Sequence, residues 1–227
     1  MVASLWVWCK ASAAAPSIQS NHTEFRMSLV FYWHPMSSAT PVACALAELA
    51  VPHERVRIDI RTGEQRTAQY LAINPNGKVP CLVVDGTPLF EGLAILQWLG
   101  AQHGVALGLW PQDGTPERLE ALSWTTWAYV TYAALLNRLW LATRDEALRS
   151  HEHAAAALAG VNELLDLLEA RLSGRGWMLG EAYSLVDLVV GSVVGYGVYF
   201  GADVEAHPQV KQWLGQLQAR PAMQGEV

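Results

Sequence analysis

Three places along the 227-residue chain hold residue types whose spacing could do chemistry, and a fourth carries a structural signature. His34-Pro35-Met36-Ser37-Ser38 puts two adjacent hydroxyls in one loop. They can donate hydrogen bonds to a bound group, or cap the helix that Pro41 is suited to open. Asn74-Pro75-Asn76-Gly77-Lys78-Val79-Pro80 is a turn that runs into an X-Pro bond, a bond that reaches cis at a cost of only about 0.5–1 kcal/mol. In cis, Val79 would turn its N–H and C=O outward, where an extended peptide can pair with them as an added strand. Phe90-Glu91-Gly92-Leu93-Ala94-Ile95 opens a helix on a carboxylate. Exposed first-turn N–H groups attract an anion, while Glu91 attracts an ammonium group. Tyr183-Ser184-Leu185-Val186-Asp187 reads as a capping box, worth about 1 kcal/mol and structural rather than chemical.

The remaining reactive types promise less. Cys9, Cys44 and Cys81 form no CxxC and no metal-ligand spacing. Cys44 falls on an apolar helix face and Cys81 in a strand, where buried, inert thiols are expected. Tyr32 lies within a strand and is expected to be packed. His34 reads as a surface histidine or a site-lining one, and Trp98 and Trp110 as packing or linker residues. No metal is expected.

The elements that would position these residues alternate at first. Residues 29–33 make a short β-rich run, 42–49 an apolar helix and 53–60 an alternating strand. A weaker helix over 67–73 closes on the Asn-Pro-Asn-Gly turn. Strands at 78–84 and 88–90 flank Asp85-Gly86, a hairpin dipeptide, and a helix covers 92–102. The order is β-α-β-α-β-β-α. Residues 104–116 carry Gly108, Pro111, Asp113-Gly114 and Pro116, which is linker chemistry. Beyond them only helical periodicity is found, at 117–142, 146–171, 185–200 and 208–218. The fold class is therefore α/β plus all-α: a small α/β domain at 27–103, a linker at 104–116 and an all-helical domain at 117–227.

Composition narrows the function classes. The chain is 52% hydrophobic and 16% charged, the profile of a well-packed globular protein. A net charge of −6 and a pI near 5.6 argue against nucleic acid as a partner. Mean hydropathy is +0.15, yet the longest apolar stretch, 185–202, contains Asp187 and Gly191, Gly195, Gly197 and Gly201. It reads as a buried core helix rather than a membrane span. Residues 1–26 differ from the rest, and Met27 sits directly before the first strand. They are expected to be a disordered extension or to follow an upstream start codon. A signal peptide is the lesser alternative, since Lys10 follows the apolar stretch rather than preceding it.

In their order and spacing, the Asn74–Pro80 turn, the Glu91 segment and the capping box resemble the soluble glutathione transferase superfamily, over residues 28 to about 222. The resemblance implies a thioredoxin-like N-terminal domain and a C-terminal helical bundle, with glutathione as co-substrate. Lys78, Val79, Pro80, Glu91 and Gly92 would bind it. Gly92 stands where the family has serine, so the backbone donor is kept and the hydroxyl lost. Ser37 matches the serine of serine-type members and Ser38 the cysteine position of bacterial cysteine-type members. Either would stabilise the thiolate, because a free thiol with a pKa near 8.5 is only a few per cent ionised at pH 7. Met36, Trp124, Trp127, Tyr129 and Tyr132 are candidates for the acceptor pocket, most of them expected in the core. The implied protein is a cytoplasmic homodimer that conjugates glutathione to small apolar electrophiles, with no nucleic-acid or membrane partner. Peroxide reduction, isomerisation, and a non-catalytic binding or regulatory role are the alternatives.

Overall fold

The computed structural model describes residues 27–225; the expectations for residues 1–26, Cys9 included, lie outside them. The first strand, β1 (Leu29–Trp33), buries Leu29 and Phe31 on one face and turns Tyr32 to the other. It lies inside a four-stranded sheet of order β2-β1-β3-β4. β2 (Glu54–Arg57) runs parallel to β1, which obliges the chain to cross over through helix α1 (Thr40–Glu48). β3 (Cys81–Val84) runs antiparallel to β1, and β4 (Thr87–Phe90) closes a hairpin with it across Asp85-Gly86. Pro88 is accommodated because β4 is an edge strand. The second strand is shorter than its alternating sequence predicts, since Asp59 leaves the ladder to accept from the Arg61 N–H.

Helices cover both faces of this sheet. α1, with Pro41 in its first turn, buries Val42, Cys44, Ala45 and Leu46 and packs on α3 (Gly92–Leu99). On the other face, α2 (Ala68–Leu71) is capped by Thr67 and sets Tyr70 against Tyr32, with ring centroids 5.8 Å apart. Beyond α3 the chain is not loose. A π-turn (Gly100–Gly104) and a 3-10 turn (Val105–Leu107) lead to Trp110, which is 3% exposed. Gly100 permits this approach: a Cβ there would fall 2.5 Å from the Trp110 ring.

The helical half begins with α4 (Pro116–Trp127), continues through a π-turn (Ala128–Tyr132) and ends its first rod with α5 (Ala133–Arg144). α6 (His151–Leu172) returns against α5. α7 (Leu185–Tyr199) is the central helix and buries nine residues. It touches α1 and α3 of the sheet half and α4 and α8 (Pro208–Gln218) of the helical half. Its apolar run therefore serves the core, and no helix among the described residues is long and apolar enough to cross a membrane. The short α9 (Pro221–Gln224) sits against α1. Just before it, the Arg220 guanidinium lies 3.4 Å over the Tyr183 ring and donates to Glu48, closing the chain end on the first helix.

Candidate functional site

The loop after β1 separates the two serines. His34 is buried, and its Nδ1 pairs with the Ile58 carbonyl at 2.8 Å, so it neither lines a site nor meets solvent. Met36 takes a left-handed φ of 53° and is 94% exposed. The Ser37 hydroxyl donates to the His34 carbonyl at 2.6 Å and accepts from the Ala39 N–H at 3.1 Å. Its one donor is thus used to close the turn into α1. The exposed Ser38 instead reaches across 41 positions of sequence, donating to the Val79 carbonyl at 2.8 Å.

Val79 sits before Pro80, and the bond between them is cis. The strip is held from behind. The Lys78 carbonyl accepts from both the Tyr70 hydroxyl and Asn74 Nδ2, each at 2.7 Å. Burial pushes the Tyr70 phenol up to about 12, which keeps it a donor. Among the described residues the Val79 N–H has no hydrogen-bond partner.

At the far end of the strip stands Glu91, the N-cap of α3, with φ 71° and ψ 117°. This conformation is strained for a residue with a Cβ, and strain of this kind clusters at binding sites. Asn76 Nδ2 donates to Glu91 Oε1 at 3.3 Å, tying the Asn-Pro-Asn-Gly turn to the helix start. Sequence reasoning did not single out Asn76, although its place in the turn two residues before Lys78 was visible. No side chain caps the first turn of α3.

One strip therefore offers, in order, a hydroxyl at Ser38, an unpaired N–H at Val79, and a carboxylate beside open helix donors at Glu91 and Gly92. An extended peptide fits this pattern if it carries an ammonium and a carboxylate at one end and a polar reactive atom at its middle. The two cysteines nearby are spectators. Burial, with Glu48 adding to it, pushes Cys44 up to about 11, and burial alone pushes Cys81 to about 11.

The proposed acceptor wall is only partly assembled. Trp124 and Trp127 are half-buried and meet edge to face at 5.4 Å. Trp127 also lines an open groove with Leu122, Ser123, Thr126, Val130 and Thr131. Tyr132 requires correction: it is fully buried, burial pushes its phenol up, and a Cβ on Gly197 would fall 2.3 Å from its hydroxyl. It belongs to the contact between the π-turn and α7. Among the described residues no cluster of three His, Cys, Asp or Glu side chains could hold a metal ion.

Most of the chain is similar to known proteins. Residues 36–102 match the glutathione S-transferase N-terminal domain and residues 129–221 the glutathione S-transferase C-terminal domain. Glutathione S-transferase GstB of Escherichia coli K12 is 30% identical over 82% of this chain and 90% of its own. The disulfide-bond oxidoreductase YfcG of the same organism is 26% identical over 84% and 90%. The theta class glutathione S-transferase of Xanthomonas axonopodis pv. citri, solved with glutathione bound, superposes with a TM-score of 0.75 at 30% identity, covering 88% of this chain and 97% of that one.

Proposed function

Because the chain belongs to the glutathione S-transferase superfamily, we propose that it joins the glutathione thiolate to small apolar electrophiles, with Ser38 as the residue that stabilises the thiolate. The observation that carries this reading is the 2.8 Å hydrogen bond from the Ser38 hydroxyl to the Val79 carbonyl. It sets the hydroxyl beside the backbone atoms with which the cysteinyl unit of glutathione would pair.

When the peptide pairs with Val79, its cysteinyl N–H takes the carbonyl that Ser38 now holds, and the Ser38 hydroxyl turns to the sulfur. Donation to the thiolate lowers the thiol pKa and raises the reactive fraction at neutral pH. The thiol proton goes to solvent. The sulfur lone pair forms the new S–C bond, and the leaving group departs with its electron pair. Ser38 keeps its own proton throughout. Ser37 has a structural role in this reading, supported by the donation of its hydroxyl to the His34 carbonyl. Lys78 and Pro80 shape the strip, and Glu91 and the Gly92 N–H receive the γ-glutamyl end. Met36, Trp124 and Trp127 remain as the acceptor wall.

The oligomer and compartment belong to the same reading. Leu119, Leu122 and Val130 recur along α4 and its π-turn at 67%, 36% and 62% exposure, a stripe suited to the partner subunit of a homodimer. The free, buried Cys44 and Cys81 suit a reducing compartment such as the cytoplasm. A second reading, reduction of a disulfide by the same thiolate, is favoured by the likeness to the disulfide-bond oxidoreductase. It would consume two glutathione thiols and yield glutathione disulfide.

The test is conjugation to 1-chloro-2,4-dinitrobenzene across pH 5.5–9. Ser38→Ala is expected to lower kcat/KM roughly 10²-fold and to move the pH profile up toward the free thiol. Ser37→Ala is expected to keep the profile and lose about 1 kcal/mol of stability. A wild-type protein that neither binds glutathione nor consumes its thiol overturns the transferase reading. Product formation from a disulfide but not from the chloroarene moves it to the second.

A further inference from the structure

Gly92 lacks the side chain that the first residue of this helix would use to hold an anion. A neighbour supplies what is missing. A Cβ built on Gly92 would lie 3.5 Å from the Tyr129 hydroxyl, 3.6 Å from a Tyr129 ring carbon and 3.7 Å from Pro80 Cγ. The Tyr129 hydroxyl therefore stands beside the cis-proline and the start of α3, within reach of a group bound at Gly92. No hydrogen bond among the described residues involves it, and, unlike the sealed Tyr132 hydroxyl, it keeps some access to solvent. Burial pushes its phenol up to about 12, so it carries its proton at any working pH and is a donor.

The backbone explains how a helical-domain residue comes to be there. Tyr129 lies in the π-turn Ala128–Tyr132 that interrupts the rod between α4 and α5. A single π-turn inside a helix commonly marks a functional site, because the extra residue re-aims one side chain without ending the helix. Here it parts two tyrosines three residues apart: Tyr132 is sealed against Gly197, and Tyr129 is directed at Gly92. The first turn of α3, which Gly92 opens, has no side-chain cap, so its N–H groups are left without a side-chain partner beside the Tyr129 hydroxyl.

We propose that the Tyr129 hydroxyl binds the α-carboxylate of the γ-glutamyl residue of glutathione, together with the α3 N–H groups, replacing the serine hydroxyl that Gly92 lacks. This rests on the reading of the Glu91 end as the γ-glutamyl subsite. It makes the glutathione site a product of both halves of the molecule, since one of its anion donors comes from the helical domain.

The experiment is calorimetric titration of the full chain with glutathione and with 4-aminobutyryl-cysteinyl-glycine, which lacks only that carboxylate. Tyr129→Phe is expected to weaken glutathione roughly tenfold, the loss of one hydrogen bond to a charged group, and to leave the analogue within twofold. The urea midpoint should stay at the wild-type value. Gly92→Ser in the Tyr129→Phe background should restore most of the lost affinity, because the serine supplies a hydroxyl donor at the same helix start. Equal weakening of both ligands, or glutathione affinity unchanged in Tyr129→Phe, overturns the proposal while leaving the transferase reading intact. Wild-type protein that fails to bind glutathione at all overturns both.

Discussion

Three helix starts in this chain handle the same problem differently. At α7 every requirement is met within the chain. Ser184 accepts from the Val186 N–H, and Asp187 returns to the Ser184 N–H at 2.9 Å. The Asp187 carboxylate also accepts from the Ser184 hydroxyl, the Met178 N–H at 2.7 Å and Trp213 Nε1 at 2.9 Å. At α8 the donors are met from outside the helix. Glu169 of α6 lays one oxygen on the Gln209 N–H and the other on the Val210 N–H, both at 3.0 Å. At α3 neither happens: Glu91 makes no cap and holds a strained φ of 71°. A closed start is architecture, whereas an open one beside a strained carboxylate leaves donors free for an anion. The α8 start shows in this same chain how a carboxylate seats on two such donors.

Breaking the closed start should have the largest effect. Asp187→Ala removes the common acceptor of four buried donors from three segments of chain. The cost should be about 3–5 kcal/mol, since each buried donor left unsatisfied costs about 1–3 kcal/mol and the segments relax only in part. A urea titration checks it. A loss under about 1 kcal/mol would mean that α7 does not depend on its cap, and would remove the contrast with α3.

How much of this could be read beforehand depended on the range of the contacts. The alternation of β1, Pro41, Asp85-Gly86, the Asn-Pro-Asn-Gly turn and the Ser184–Asp187 box are signals within a few residues of sequence, and they located the elements that carry the site. The different hydrogen-bond partners of Ser37 and Ser38 were not legible, because that of Ser38, the Val79 carbonyl, lies 41 positions away in sequence. The π-turn was equally hidden. The stretch 117–142 keeps helical periodicity on both sides of it, and an inserted residue leaves no compositional mark. Tyr132 therefore reads as one candidate for a pocket wall, whereas it lies in the core against Gly197. Trp110 also belongs to packing rather than to a loose linker, for a reason visible only in space: Gly100 lets the indole lie against its backbone.

Relaxing the open start should separate stability from binding. Glu91→Gly removes the Cβ from a φ of 71° and should stabilise the fold by on the order of 1 kcal/mol, the cost of holding such a conformation. The same change deletes the carboxylate that Asn76 steadies at 3.3 Å. Glutathione affinity should then fall roughly 30- to 100-fold, as for a charge-assisted hydrogen bond. Higher urea midpoint with weaker binding is the signature expected of a strained functional residue. If both fall together, Glu91 is a structural cap and the contrast with α7 disappears.

The smallest effect belongs to the borrowed cap. Glu169→Gln keeps one acceptor for the α8 N–H groups but loses the charge that favours a helix start, a loss of about 1 kcal/mol. The loss should also depend on pH, because His207 at the same corner faces Asp166 at 3.0 Å, the Asp203 carbonyl at 2.5 Å and the Glu169 carboxylate. Burial works to lower the His207 pKa. The bonds to Asp203 and Asp166, with the charges of Asp166 and Glu169, outweigh it and leave the pKa raised. A histidine raised on folding binds its proton more tightly in the native state. Its contribution is complete below the unfolded value near 6.5 and disappears as pH rises through the folded value. Glu169→Gln removes one of the charges that raise it, so the mutant should lose more stability relative to wild type at pH 6 than at pH 9. Urea midpoints of the two proteins at those pH values decide it. A difference that is the same at both would mean that Glu169 acts on α8 through its hydrogen bonds alone.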